Sequence, residues 1–200
     1  MWDRSENKII IFIRHGLTAS NVKKLYAGKL NDDELCDDGI NELKENVNKG
    51  IYPKADLVIS SAKKRCIQSA EIIYKDSDIK VVEGLDEIDF GLFEGKDYNA
   101  LKDNELYIKW LESGGTIPFP EGDSREDYLI RNKEAFERIL NLIDEDNKRV
   151  AVVAHGGNIM ALLNIYGGRE YFDSMVSAGC GYICELTFKD EPKLKVIETI

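Results

Sequence analysis

Residues 8–16 read KIIIFIRHG and residues 149–157 read RVAVVAHGG. Each holds an apolar, largely β-branched run with no polar alternation, closed by a histidine and a glycine. Continuous apolar runs this short suit strands covered on both faces, as in a parallel sheet. They predict strands at residues 8–13 and 149–154, each delivering a histidine at its carboxyl end. His15 and His155 are the only two histidines in the 200 residues.

The rest of the chain alternates in the same way. DLVI at 56–59 and the segment 79–82 read as further short strands. Ile40, Leu43 and Val47 form a helical stripe, with Asp37 or Asp38 as N-cap and Gly50 at the far end. Ser61 is placed to cap a helix reaching about residue 75, with Cys66, Ala70 and Ile73 on one face. A helix is expected at about 98–111, then a loop, GGTIPFPEGDS, at 114–124. Ser124 and Asp127 resemble a capping box for a helix burying Tyr128, Leu129, Ala135, Phe136, Ile139, Leu140 and Ile143. Gly156-Gly157 open another helix to about 165, and 181–200 read as a two-strand hairpin. This order predicts an α/β protein with a mainly parallel sheet between helical layers. With no repeat or linker visible, residues 1–200 read as one domain, irregular mainly at about 97–123.

Composition narrows the function. Hydrophobic residues make up 43%, enough for a sizeable core. Lys and Arg number 27 against 37 Asp and Glu, a formal charge of -10, which argues against nucleic-acid or anionic-membrane partners but not against a small cationic pocket. No run approaches the roughly 20 apolar residues of a membrane span. The start, MWDRSENK, lacks the apolar segment of a secretory signal. Four scattered cysteines read as reduced thiols in a cytoplasmic protein.

In open α/β sheets, ligands bind beyond the carboxyl ends of the strands. Four predicted strands bring Arg14 with His15, Arg65, Glu87 and His155 toward one such edge. Taken singly, a histidine after a strand is an ordinary loop residue, and Arg65 beside Lys63 and Lys64 is an ordinary solvated cation. Their convergence carries the reading. The histidines lack metal-ligand spacing, and neither a nucleophile elbow nor a dinucleotide fingerprint occurs. GLFEGK at 91–96 is one residue short of a P-loop and lacks its Ser or Thr. What remains is a cationic nest for phosphate. Arginines bind phosphate oxygens in bidentate fashion, helix N-termini at Gly157 and Ser61 add N–H donors, and a neutral imidazole is a competent nucleophile toward phosphorus. A protonated second imidazole and a carboxylic acid would complete the chemistry without metal or cofactor.

Five segments in order resemble the motifs of the histidine phosphatase (phosphoglycerate mutase-like) superfamily, over essentially the whole chain. Arg14-His15-Gly16-Leu17-Thr18 with Asn21 resembles R-H-G-E-T-x-x-N, and SSAKKRCIQSA at 60–70 resembles S-S-x-x-x-R-x-x-Q-T-A. LDEIDFGLFEG at 85–95, PEGDS at 120–124 and VVAHGG at 152–157 are similar to the remaining three. The resemblance implies a three-layer α/β/α sandwich. It implies His15 as nucleophile, Glu87 as proton donor, and Arg14, Arg65 and His155 around the phosphoryl group. Thr18, Asn21 and Gly156 are expected to add substrate contacts. Leu17, Ser20, Glu34 and Cys36 depart from the family pattern, at positions that bear on the substrate entrance.

A metal-independent phosphoric monoester hydrolase acting on a small phosphorylated metabolite is the leading expectation, in the phosphatase branch with α-ribazole phosphatases and broad-specificity enzymes as models. A 2,3-bisphosphoglycerate-dependent mutase is the alternative. The mutases of this family carry R-H-Y-G after the glutamate and more arginines before the second histidine, whereas Glu87 is followed by Ile88-Asp89-Phe90 and residues 97–123 hold no arginine. A non-catalytic phosphate-binding module is a second alternative, disfavoured because all five reactive groups are present. The segment at about 97–123 is expected to cover the substrate, with Tyr98, Tyr107, Trp110 or Phe119 lining an apolar or neutral subsite.

Overall fold

The computed structural model describes residues 6–188 and 190–200. Residues 1–5 of the start in which no signal was read, and Lys189 in the predicted hairpin, lie outside the described residues. The chain runs β1 (Lys8–Arg14), α1 (Ala19–Val22), α2 (Asp37–Asn48), β2 (Leu57–Ser60), α3 (Lys64–Ile73) and β3 (Ile79–Val81). It continues through α4 (Tyr98–Leu101), α5 (Glu105–Glu112), α6 (Arg125–Leu142), β4 (Arg149–Ala154), α7 (Gly156–Gly167), β5 (Gly181–Phe188) and β6 (Pro192–Thr199). The six strands of the described residues form one sheet in the order β3-β2-β4-β1-β5-β6. The first four are mutually parallel, and the β5–β6 hairpin adds antiparallel to β1.

Side-chain alternation explains why the two opening segments are apolar throughout. Ile10 and Phe12 of β1, with Val150, Val152 and Ala154 of β4, pack against Phe136 and Ile139 of α6 and Ile159 and Leu163 of α7. Ile11, Ile13, Ala151 and Val153 face the other way, onto Leu43 of α2 and Cys66 and Ala70 of α3. Both faces are dry, so a polar residue on either would lose about 1.5–3 kcal/mol of burial per side chain. This is the expected mainly parallel three-layer sandwich.

Several local expectations are corrected. Asp37 and Asp38 do not cap α2; they occupy its first turn, where their charge faces the helix dipole, and Cys36 is the N-cap. Val47 of the expected stripe is exposed. Ser61 does not cap α3, which begins at Lys64 after Lys63. The single helix expected at 98–111 is two, because the Asn104 side chain accepts from Leu106 N (2.9 Å) and Tyr107 N (3.2 Å) and starts α5 afresh. Ser124 caps α6 as read, accepting from Asp127 N at 3.0 Å. Leu129 is half-buried and Ile143 lies just beyond the helix. Among the described residues, no helix is long and apolar enough to cross a membrane.

Candidate active site

The sheet order places the ends of β2, β4 and β1 side by side. The ladder continues past the strands: His15 N donates to Ala154 O (3.0 Å), and Ser61 N donates to Val153 O (3.0 Å). His15 and Ser61 are therefore fixed by backbone, and the rings of His15 and His155 meet edge to face with centroids 5.2 Å apart. His15 Nδ1 lies 2.7 Å from Gly16 O. A carbonyl can only accept, so Nδ1 carries the proton and Nε2 presents its lone pair. His155 has the opposite arrangement. Arg65 Nε donates to its Nδ1 (3.3 Å), which leaves Nε2–H to donate to Ser61 Oγ at 3.1 Å.

Both imidazoles are uncharged at neutral pH. Burial, then the neighbouring Arg65, lowers His15 to about 3. The same two causes, with His15 beyond them, hold His155 well below the usual imidazole range. This corrects the expectation of a protonated His155 in the pocket as it stands; a dianionic phosphoryl group beside it would act in the opposite direction. Arg14 donates through Nη1 to Val176 O (2.8 Å), while its buried Nε has no hydrogen-bond partner among the described residues. Gly156 leaves room there: a Cβ on it would stand 3.5 Å from that Nε. Arg65 is nearly fully buried and more heavily engaged, with Nη1 on Asn31 O (2.7 Å) and Nη2 near Gly28 O (3.4 Å).

Glu87 reaches the same edge from the loop after β3. Its Oε1 accepts from Ile88 N and from the Tyr128 hydroxyl, both at 2.9 Å, and its Oε2 accepts from Gly157 N at 3.2 Å, the opening turn of α7. One face of α6 holds this loop. Tyr128, Arg131 and Asn132 lie three and four residues apart, hence on one side of the helix. Arg131 donates to Asp86 O (3.1 Å) and pairs with Asp123. Asn132 Oδ1 accepts from Asn158 Nδ2 (2.9 Å), and Asn158 Oδ1 accepts from His155 N (3.1 Å). A buried chain of side chains thus joins the second histidine to the mount of Glu87. Gly157 permits the close approach, since a Cβ there would stand 2.1 Å from Glu87 Oε1 and 2.7 Å from the Tyr128 hydroxyl.

The five reactive residues expected to converge do so. Thr18 and Asn21 form a capping box around α1, with Asn21 N donating to Thr18 Oγ1 (3.3 Å) and Thr18 N donating to Asn21 Oδ1 (3.2 Å). Tyr128, Asn132 and Asn158 are site residues that the sequence reading does not contain, and Ser61, expected there as a helix N-terminus, contributes its hydroxyl to His155 instead. A polar group set on the apolar inner stripe of α6 was the available signal for the first two. Among the described residues, no three His, Cys, Asp or Glu side chains group as metal ligands. A cavity of about 290 Å³ opens from Glu87 and Gly157, and Trp110, Phe119 and Arg125 are in its lining. Of the other two aromatics proposed for a subsite, Tyr98 is exposed and Tyr107 is buried in the aromatic cluster beneath.

Comparison with known proteins agrees with this fold. Residues 10–192 match the model of the histidine phosphatase superfamily, branch 1. A broad-specificity phosphatase of Saccharomyces cerevisiae is 31% identical over 175 residues, covering 80% of this chain and 72% of that protein. A 2,3-bisphosphoglycerate-dependent phosphoglycerate mutase of Cytophaga hutchinsonii is 28% identical over 165 residues, 78% of this chain and 75% of that one. Among solved structures, a putative alpha-ribazole-5'-P phosphatase of Escherichia coli superposes with a TM-score of 0.81 at 21% identity, covering 96% of both chains. A phosphoserine phosphatase of Entamoeba histolytica, in complex with 3-phosphoglyceric acid, gives 0.76 at 26% identity, covering 96% of this chain and 97% of that one. The chain belongs to branch 1 of the histidine phosphatase superfamily.

Proposed function

We propose that the protein is a metal-independent phosphomonoesterase that hydrolyses a small phosphorylated metabolite through a phosphohistidine on His15. The observation that carries this reading is the 2.7 Å contact of His15 Nδ1 with Gly16 O: the carbonyl takes the Nδ1 proton and leaves the Nε2 lone pair free, while the neighbouring Arg14 keeps a buried Nε with no hydrogen-bond partner among the described residues. Nε2 attacks phosphorus, and the bond from phosphorus to the ester oxygen breaks. Glu87 gives that oxygen a proton, so an alcohol leaves rather than an alkoxide. Water then attacks the phosphohistidine, Glu87 takes its proton, the N–P bond breaks, and inorganic phosphate departs. Arg14, Arg65, His155 and the N–H groups at Gly156 and Gly157 balance the charge on the phosphoryl oxygens. Arg65 serves through its remaining N–H and by fixing the His155 ring. Thr18 and Asn21 support this edge through the first turn of α1, and Asn21 contacts substrate. Residues 97–123 cover the leaving group within a domain spanning 1–200, working in the cytoplasm, where the four unpaired thiols stay reduced.

The mutase reading is second, favoured by the relatives that carry that name. A mutase must exclude water and hold a bisphosphorylated intermediate, which calls for more cations than this site offers. Phosphate release from a panel of monoesters, with and without EDTA, and 3- to 2-phosphoglycerate flux are to be measured on one preparation. Release that exceeds flux and ignores EDTA is expected. Flux above release for every ester would give the mutase reading priority, a metal requirement would overturn the mechanism, and phosphate binding without any turnover would indicate a non-catalytic module.

A further inference from the structure

The cavity beside Glu87 receives whatever departs from phosphorus, because the group that protonates the leaving oxygen stands in its wall. This placement rests on the phosphatase reading above. The lining is dominated by aromatic, aliphatic and thioether side chains, among them Phe90, Trp110, Phe119 and Met160. The rim is apolar as well: Ile117, Phe172 and Met175, all in the lining, are 43%, 50% and 64% exposed. Exposed apolar side chains gathered around one opening mark a surface that meets an apolar ligand. Trp110 and Phe119 stack with centroids 4.7 Å apart, a slab suited to a flat group.

Glu87 and Arg125 are the charged side chains of the wall. Arg125 is the first residue of α6. Its Nη2 donates to Gly115 O (2.9 Å) and Gly114 O (3.3 Å), and its guanidinium lies 5.1 and 5.2 Å from the ring centroids of Tyr171 and Phe172. Arg125 thus ties the 113–118 loop to the segment after α7 across the mouth. Arg125, the cation of that wall, is engaged by backbone carbonyls and ring faces, so it is not presented to a carboxylate on a short leaving group.

We propose that this site selects phosphate monoesters whose leaving alcohol carries a flat, uncharged ring group. Arg125 acts as the latch that keeps the apolar wall closed rather than as an anchor for substrate carboxylate. The volume limits the group to about one small ring system.

The test compares kcat/KM for benzyl phosphate, 2-naphthylmethyl phosphate, ethyl phosphate, phosphoserine and 3-phosphoglycerate. All are esters of aliphatic alcohols, so recognition rather than phenol-like leaving ability sets the ranking. A preference of about 30-fold or more for a ring ester over ethyl phosphate is expected, the size that burial of one ring supplies. Arg125→Met is expected to raise KM for the ring ester several-fold with little change in kcat. Ile117→Asp, on an exposed loop that folding tolerates, should shrink the ring-to-ethyl ratio at least about fivefold. Turnover with phosphoserine or 3-phosphoglycerate preferred, and that preference lost in Arg125→Met, would overturn the inference while leaving the phosphatase reading intact. Failure of all five esters, with no change on His15→Ala, would overturn the phosphatase reading itself.

Discussion

The strand-end nest and the cavity beside it share Glu87 and Gly157 but are built differently. In the nest, His15, His155 and Ser61 follow parallel strands directly, and backbone bonds carry the sheet ladder into the site. In the cavity, the wall comes from Tyr26, the 87–90 loop, α5, the 113–118 loop, the starts of α6 and α7 and the segment after α7, joined by side-chain packing and by Arg125. The nest therefore tolerates little displacement, whereas the cavity can change its residues without disturbing the chemistry. Reaction type belongs to the sheet, and substrate choice belongs to its irregular cover.

This contrast can be broken at graded cost. Glu87→Gln removes the proton donor and keeps the shape of the mount. A fall in kcat of about 1,000-fold with a smaller change in KM is expected, largest for esters with poor leaving groups. An equal loss for good and poor leaving groups, read from steady-state kinetics, would remove Glu87 from that role.

Acid should unfold the nest through its histidines. The unfolded chain binds a proton on His15 near pH 6.5, whereas the folded site resists it down to about 3. Between those values the unfolded state holds more protons, so stability present at neutral pH is lost as pH falls. About 3 kcal/mol should disappear from this group between pH 7 and 4, with His155 acting in the same direction. Urea titrations of wild type and His15→Gln would detect it: the variant should have the flatter pH dependence, and parallel curves would contradict the assignment.

Gly157→Ala forces a Cβ against Glu87 and Tyr128. A destabilisation of about 2 kcal/mol is expected, with a further loss of kcat because the Glu87 mount shifts. An unchanged melting temperature and kcat would mean that the clamp is looser than its distances indicate. Tyr128→Phe sharpens the same point more gently. It deletes one hydrogen bond to Glu87 and should cost about 1 kcal/mol. Its kcat loss should grow as the leaving group worsens, a dependence that mere loosening of the core would not produce.

The sequence made the nest legible because its signals are local. Two uninterrupted apolar runs each ending in His-Gly specify buried strands and what stands at their ends. Arg65 and Glu87 needed the convergence of strands and the family resemblance, since neither differs locally from its charged neighbours. The Tyr128–Asn132–Asn158 chain was not legible, because its partners lie on a distant loop and another helix. The role of Arg125 was not legible either, because its partners are carbonyls of the 113–118 loop and rings of the segment after α7. Ser61 looked like a cap because serine before a helix usually is one; here its hydroxyl faces His155. The break at Asn104 was missed because apolar spacing continues through it, while its capping bonds divide the segment.

The central claim is that His15 becomes phosphorylated during turnover. Protein mixed with a ³²P-labelled monoester and quenched within one turnover should carry label that is acid-labile and base-stable. The label should be present in wild type and Cys66→Ala, absent in His15→Ala, and mapped to the peptide containing His15. Label that persists in His15→Ala, or that survives acid, would contradict it.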